Sequence, residues 1–150
     1  MSINNTEKAL AEKSLVALEQ SGFDRAACRV SADELHELQA ENAEINLFRT
    51  NFETDISLVG IKDERKASMS INRVDDATVN DAVADLTAMA AGSSPDSAHD
   101  IAPQQSHEIF SGGIEEPDYD LMYDRVSEMQ TYAAEKYPLL NLRSTGITFY

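Results

Sequence analysis

ACRVSADELHELQAENAEINLFRTNFETDISLVGIKDERKASMSINRVDDATVNDAVADLTAMAA, residues 27–91, is the stretch whose reading decides the fold. Ile45 and Leu47 alternate with Asn46 and Phe48, Ile56 and Leu58 with Ser57 and Val59, and Ala67, Met69 and Ile71 with Ser68, Ser70 and Asn72. A period of two is the pattern of a strand with one buried face, so three consecutive antiparallel strands are expected, the last two joined at the charged turn Lys62-Asp63-Glu64-Arg65. The period then changes. Val79, Val83, Leu86 and Ala90 fall on one helical stripe, with Asp81 and Asp85 facing away and Asp75 or Asp76 as the cap. This helix should cover the sheet.

At the start of the same stretch two principles conflict. Ser31-Ala32-Asp33-Glu34 has the form of a capping box, and Leu35 and Leu38 sit at helical spacing, so local rules predict a helix. Just before it, Ala26, Cys28 and Val30 alternate with Ala27, Arg29 and Ser31 as in a strand, with Cys28 pointing inward.

Working outward, Asn5 or Thr6 can cap a first helix running to about Gln20, with Gly22 as its stop. Ala11, Leu15 and Leu18 lie on one face of it and Lys13 and Gln20 on the other. Beyond the sheet-covering helix, residues 92–117 are rich in Ser, Gly, Pro and Gln and carry no periodicity, which predicts a long internal loop that Ile109, Phe110 and Ile114 could pin. Pro117-Asp118 opens another helix reaching about Lys136, with Met122, Val126, Met129 and Ala133 as its stripe, and Tyr137-Pro138 ends it. Leu140, Leu142 and Gly146 to Tyr150 read as strand sequence that stops at the last residue, which leads us to expect a fragment of a longer protein. The expected fold class is α+β, an antiparallel sheet of about four to six strands with helices packed mainly on one face.

A chain of 150 residues that is 42% hydrophobic is long enough for one ordinary core, so a single domain over residues 1–150 is expected. With 12 Lys and Arg against 27 Asp and Glu, the net charge is -15. Proteins that bind DNA gain affinity by setting Lys and Arg against phosphates, so direct nucleic-acid binding is not expected. The acidity suits a solvated surface or a basic partner. Cys28 is the single cysteine, which rules out an intrachain disulfide and fits a reducing cytoplasm. No export signal is recognised at the N-terminus and no apolar run approaches the ~20 residues that span a bilayer, so no membrane association is expected.

No catalytic, cofactor-binding or metal-ligating residue can be named. A zinc peptidase helix needs a second His one turn after its His-Glu pair; His36-Glu37 is followed by Ala40 and Glu41, and His107-Glu108 by Ser111 and Gly112. His36, His99 and His107 are read as solvated or capping, and Cys28 as a core residue. Carboxylates could hold calcium only weakly and nonspecifically. No Gly-x-Ser-x-Gly elbow occurs. Ser111-Gly112-Gly113 is too short for a phosphate loop and reads as a hinge. Asp75-Asp76 and Glu115-Glu116 with Asp118 and Asp120 are expected at helix N-termini, where negative charge meets the positive end of the dipole.

Taken as text, Arg29 to Ala90 resembles the N-terminal region of the TldD/PmbA family, whose members are also called modulators of DNA gyrase. The resemblance extends from about Leu15 to Tyr150, through diffuse motifs. It implies that Ser31 to Glu41 is a strand and that the chain turns at Asn42-Ala43-Glu44, and we follow it over the capping-box reading. Ala43 stands where the family usually has Gly, which predicts a turn wider than two residues. Thr54-Asp55-Ile56-Ser57 departs from a segment where the family carries glycines. Arg65 to Ser70 and Ser94-Pro95-Asp96 lean towards the PmbA side.

The resemblance further implies a two-part protein. A C-terminal β-rich metallopeptidase-like region would hold zinc on an HExxxH helix and process peptides. It would assemble as a homodimer, or as a heterodimer with a paralogue, around a chamber for unfolded peptide substrates. The present chain would be a non-catalytic N-terminal domain serving assembly and access, and extended peptides could add to a free sheet edge. The competing expectation, from another class, is a stand-alone acidic protein-binding module.

Overall fold

The computed structural model describes residues 5–103, 108, 110 and 112–150. The elements run α1 (Asn5–Gln20), β1 (Arg25–Glu41), β2 (Glu44–Lys62), β3 (Arg65–Ile71), α2 (Asp76–Gly92), α3 (Tyr119–Lys136) and β4 (Ser144–Phe149). The fold is α+β, with one open antiparallel sheet of strand order β3-β2-β1-β4. The stretch with the capping-box pattern is strand: sheet pairing outweighs the local preference of Ser31 to Glu34. Two expected strands, at Ile45 to Phe48 and Ile56 to Val59, belong to one strand of 19 residues, because the chain between them stays extended; Thr54 and Asp55, where glycines were missed, are extended like their neighbours.

Both hairpins close on two residues with positive φ: Asn42 (50°) and Ala43 (67°) between β1 and β2, Asp63 (49°) and Glu64 (61°) between β2 and β3. Positive φ at both central positions is the type I′ geometry that matches strand twist. The turn at Ala43 is therefore tight, not widened as its missing glycine had implied. The chain accepts a left-handed alanine, at a cost of about 1–2 kcal/mol, to keep the two-residue connection.

By contacts, the chain forms two compact units, residues 1–32 with 53–110 and residues 33–52 with 111–150. β1 and β2 contribute to each. In the first unit, Leu18, Phe23, Ile56, Leu58, Val79, Val83, Leu86 and Ala90 form the core, with Cys28 and Val30 packed against it. Asp75 is the α2 cap, accepting from the Thr78 N–H at 3.0 Å. β3 pairs with β2 from Ile56↔Ile71 to Lys62↔Arg65.

The end of α1 is specified in detail. Gly22 at φ 80° donates to Glu19 O at 2.9 Å and Phe23 N donates to Leu18 O at 3.3 Å. This is the paired 5→2 and 6→1 bonding of a Schellman cap, whose hydrophobic contact here joins Leu18 and Phe23. The Phe23 ring lies over Gly60, where an added Cβ would meet it at 2.5 Å. Gly60 is thus a seat for the ring rather than a flexible joint.

Two segments depart from expectation around α2 and β4. The start of the long loop is tied down: Asp96 N donates to Glu64 O at 2.9 Å, Arg65 donates to Ser93 O and Arg25 pairs with Asp100. Phe110 and Ile114 do not pin it, being 85% and 77% exposed, and Ile109 lies outside the described residues. In the second unit, Leu38 and Ala40 of β1 pack with Met122 and Val126 of α3, joined by Ile45, Ile147 and Phe149. Met129 is largely exposed instead of completing the stripe, and Leu140 lies outside the strand, since β4 covers only Ser144–Phe149. β4 pairs with β1 from His36↔Phe149 to Glu41↔Ser144.

Ala43→Gly should raise unfolding stability by about 0.5–1 kcal/mol, because glycine adopts φ 67° without strain. Gly60→Ala should lower it by about 1–3 kcal/mol by driving a methyl group into the Phe23 ring. Denaturant unfolding of both variants checks the two opposite signs.

Candidate functional site

The described feature most like a site is built around His36 in the second unit. In a strand running through residue 36, His36, Leu38 and Ala40 share a face. His36 accordingly sits inside, 4% exposed, and is not the solvated or capping residue expected from the sequence. Its Nε2 lies 3.1 Å from Glu34 Oε1. Its Nδ1 lies 3.0 Å from Thr50 Oγ1 of β2 and 3.1 Å from the Tyr119 hydroxyl of α3. The Tyr119 and Phe149 rings flank the imidazole at centroid distances of 5.7 and 6.0 Å, and Phe48 meets Tyr119 edge-on at 4.9 Å.

The chemistry of these partners fixes the proton. An ionised carboxylate only accepts, so Nε2 carries the hydrogen, and in the neutral ring Nδ1 accepts from the two hydroxyls. A row of hydroxyl, imidazole and carboxylate has the outward form of a nucleophile and its base. Here two hydroxyls compete for one lone pair and the imidazole is shut from solvent, so the arrangement acts as a clamp that holds β1, β2 and the start of α3 together. Glu37 points to the other face and pairs with Arg49, so His36 and Glu37 never form a zinc-peptidase pair. Among the described residues no three His, Cys, Asp or Glu side chains gather as a metal site. The described residues do not fit zinc.

With this fold and clamp established, solved structures supply the comparison. TldE from Thermococcus kodakarensis matches 95% of the chain at 19% identity with a TM-score of 0.67. The chain has a TldE-like fold. A proposed modulator of DNA gyrase from Bacteroides thetaiotaomicron matches 99% at 20% identity with a TM-score of 0.66, and another from Thermotoga maritima 94% at 8% identity with a TM-score of 0.57. The chain covers 33%, 35% and 32% of these three proteins, so it spans about a third of their length. No family model and no curated protein matches it.

On this TldE-like fold the remaining sequence candidates fall apart from one another. Cys28 packs against the core of the first unit, where burial pushes its thiol pKa up and a hydrogen bond from Ser14 only partly offsets that. A thiol so placed is a poor nucleophile. His99 Nδ1 lies 3.0 Å from Glu64 O and helps secure the β2–β3 turn. His107 and Ser111 lie outside the described residues. Asp118 caps α3 by accepting from Leu121 N at 2.9 Å, and Asp120 follows in the first turn. A cleft of about 440 Å³ in the first unit, lined by Leu10, Ala32, Thr54 and Val74, is crossed at its rim by the Lys13–Asp76 ion pair. Among the described residues no helix is long and apolar enough to cross a membrane.

The Asp75 carboxyl is held below its ordinary pKa of 3.8 by hydrogen bonds from the backbone and hydroxyl of Thr78. A depressed folded-state pKa adds stability that is present above the ordinary value and is lost as pH falls through the lower, folded one. NMR titration should place the Asp75 midpoint below 3.8, and Thr78→Ala should move it part of the way back. For the clamp, Tyr119→Phe and Thr50→Val should each cost about 1 kcal/mol or less, since the other hydroxyl still serves Nδ1. The double variant leaves a buried acceptor unsatisfied and should cost about 1–3 kcal/mol more than the singles sum to. Strict additivity in a double-mutant cycle would rule out the shared-acceptor account.

Proposed function

We propose that this chain is a non-catalytic domain of a TldD/PmbA-like protein, serving dimer assembly and peptide access for a metallopeptidase-like part of the same protein. The observation that carries the reading is the fold likeness to TldE, which takes in 95% of this chain but 33% of that one. One further feature agrees with it: among the described residues, the buried imidazole of His36 is spent on holding secondary structure together. Zinc, a homodimeric or paralogous partner, unfolded peptide substrates and a cytoplasmic setting all belong to this proposal. The net charge of -15 argues against phosphate backbones as the direct ligand, whatever the gyrase-related name of the relatives.

A second reading, a stand-alone acidic protein-binding module, draws on the same charge together with the large exposed side chains of the second unit, among them Phe52, Tyr132 and Leu139.

The intact mass of the protein in its source cells, detected with an antibody against this chain, separates the two. A mass well above 16.5 kDa is expected; a mass near 16.5 kDa would sink the peptidase-associated reading and leave the binding module. The isolated chain should also leave unfolded peptides uncut when zinc is supplied. Cleavage abolished by a chelator would overturn its non-catalytic role.

A further inference from the structure

The second unit carries an uneven surface. It contains every tyrosine of the chain, Tyr119, Tyr123, Tyr132, Tyr137 and Tyr150, all substantially exposed. It also holds four Lys and Arg against twelve Asp and Glu, a difference of -8. Aromatic side chains are costly to leave in water and are enriched where proteins meet, so a clustered set of them marks an interaction surface.

One part of this surface is organised. Phe48 (52% exposed) and Tyr119 (44% exposed) meet edge-on, and the Tyr119 hydroxyl is fixed by its bond to His36. Four residues along α3, Tyr123 shares the helix face of Tyr119. Four residues along β2, Phe52, 74% exposed, shares the strand face of Phe48. Carboxylates flank the aromatic set: Asp118 and Asp120 bracket Tyr119 in sequence, and Glu34 approaches from the far side of His36. Arg49, the cation of β2 in this unit, is engaged by Glu37 on the opposite strand face. The aromatic face therefore presents rings and negative charge with no cation of that strand competing for them.

Rings held in place beside carboxylates suit a positively charged side chain, which gains from the ring quadrupole and from the ion pair together. We propose that the Phe48–Tyr119 face, continued by Phe52 and Tyr123, is the docking surface for a Lys- or Arg-rich polypeptide segment. A second copy of this acidic chain is disfavoured by like charge. The assignment deepens the peptide-access reading by naming the chemistry of the segment. It is tested on the chain itself, so it can fail while the mass measurement succeeds, and the reverse.

The probe is a short fluorescein-labelled peptide in which Lys or Arg alternates with Ser, with Gln replacing the cations in the control, followed by fluorescence anisotropy. The cationic peptide should bind and the Gln peptide should not. The pair Phe52→Ala and Tyr123→Ala, combined in one chain, should weaken binding by about five- to thirtyfold, the loss of two cation–ring contacts. Neutralising two exposed carboxylates of the first unit, Asp81→Asn with Asp85→Asn, should change it by less than about twofold, because screening confines exposed charges to short range. Circular dichroism of both variants should match the parent. Equal weakening by the two double variants would show diffuse acidic attraction and overturn the proposal. So would the absence of binding, an unchanged affinity in the aromatic variant, or sedimentation showing that this face instead joins two copies of the chain.

Discussion

The pairing of β1 with β2 is the constraint on which the other elements depend, and two left-handed residues hold its register. Because side chains alternate along a strand, a slip of one residue would exchange the two faces completely. His36, Leu38 and Ala40 would turn outward while Glu37 and Gln39 turned in, leaving charge where α3 now packs. Asn42 and Ala43 prevent this by allowing only a two-residue connection. The strain at Ala43 is small beside the core that the register secures. Further out, the same hairpin gives β4 and β3 their edges to pair with, each on a different strand.

Period and capping were legible in this chain wherever one signal acted alone. Asp75 and Asp118 cap the helices that their positions announced, and Ile56, Leu58 and Ala67 point inward as alternation required. Local pattern alone misled where tertiary pairing chose between two locally sound structures, and at residues 31–41 it was the family resemblance that gave the strand the structure has. Ser31 to Glu34 would cap a helix in isolation, and only the neighbouring strands make it a strand. The joined β2 was hidden because Arg49 to Asp55 is polar apart from Phe52, which reads as an interruption although an extended strand tolerates it. Likewise, the absence of glycine at position 43 misled because the rule gives a preference, and the preference was outweighed.

The His36 clamp was also legible in part. Once residues 31–41 are taken as strand, His36 shares the period of Leu38 and Ala40 and must be inside, and a buried imidazole requires partners. No local pattern points to Thr50 or to Tyr119, which lie 14 and 83 residues away. Their convergence is a property of topology. It also explains why a residue pair resembling the start of a zinc motif carries no such chemistry: on a strand, adjacent His and Glu face opposite ways, whereas on a helix the ligands recur one turn apart on one side.

Phe23 and its seat on Gly60 bear on the order in which the protein assembles. The ring that caps α1 rests on a glycine of β2, and nearby Lys62 Nζ reaches Ser21 O at 3.1 Å across 41 residues of chain. Neither contact can exist before that part of β2 is in place. The helix can form its own turns early, but docking has to await closure of a long loop, whose entropy opposes it until the sheet offers the ring somewhere to rest. A helix that precedes every strand of the sheet in the chain is thus among the last pieces to be locked down.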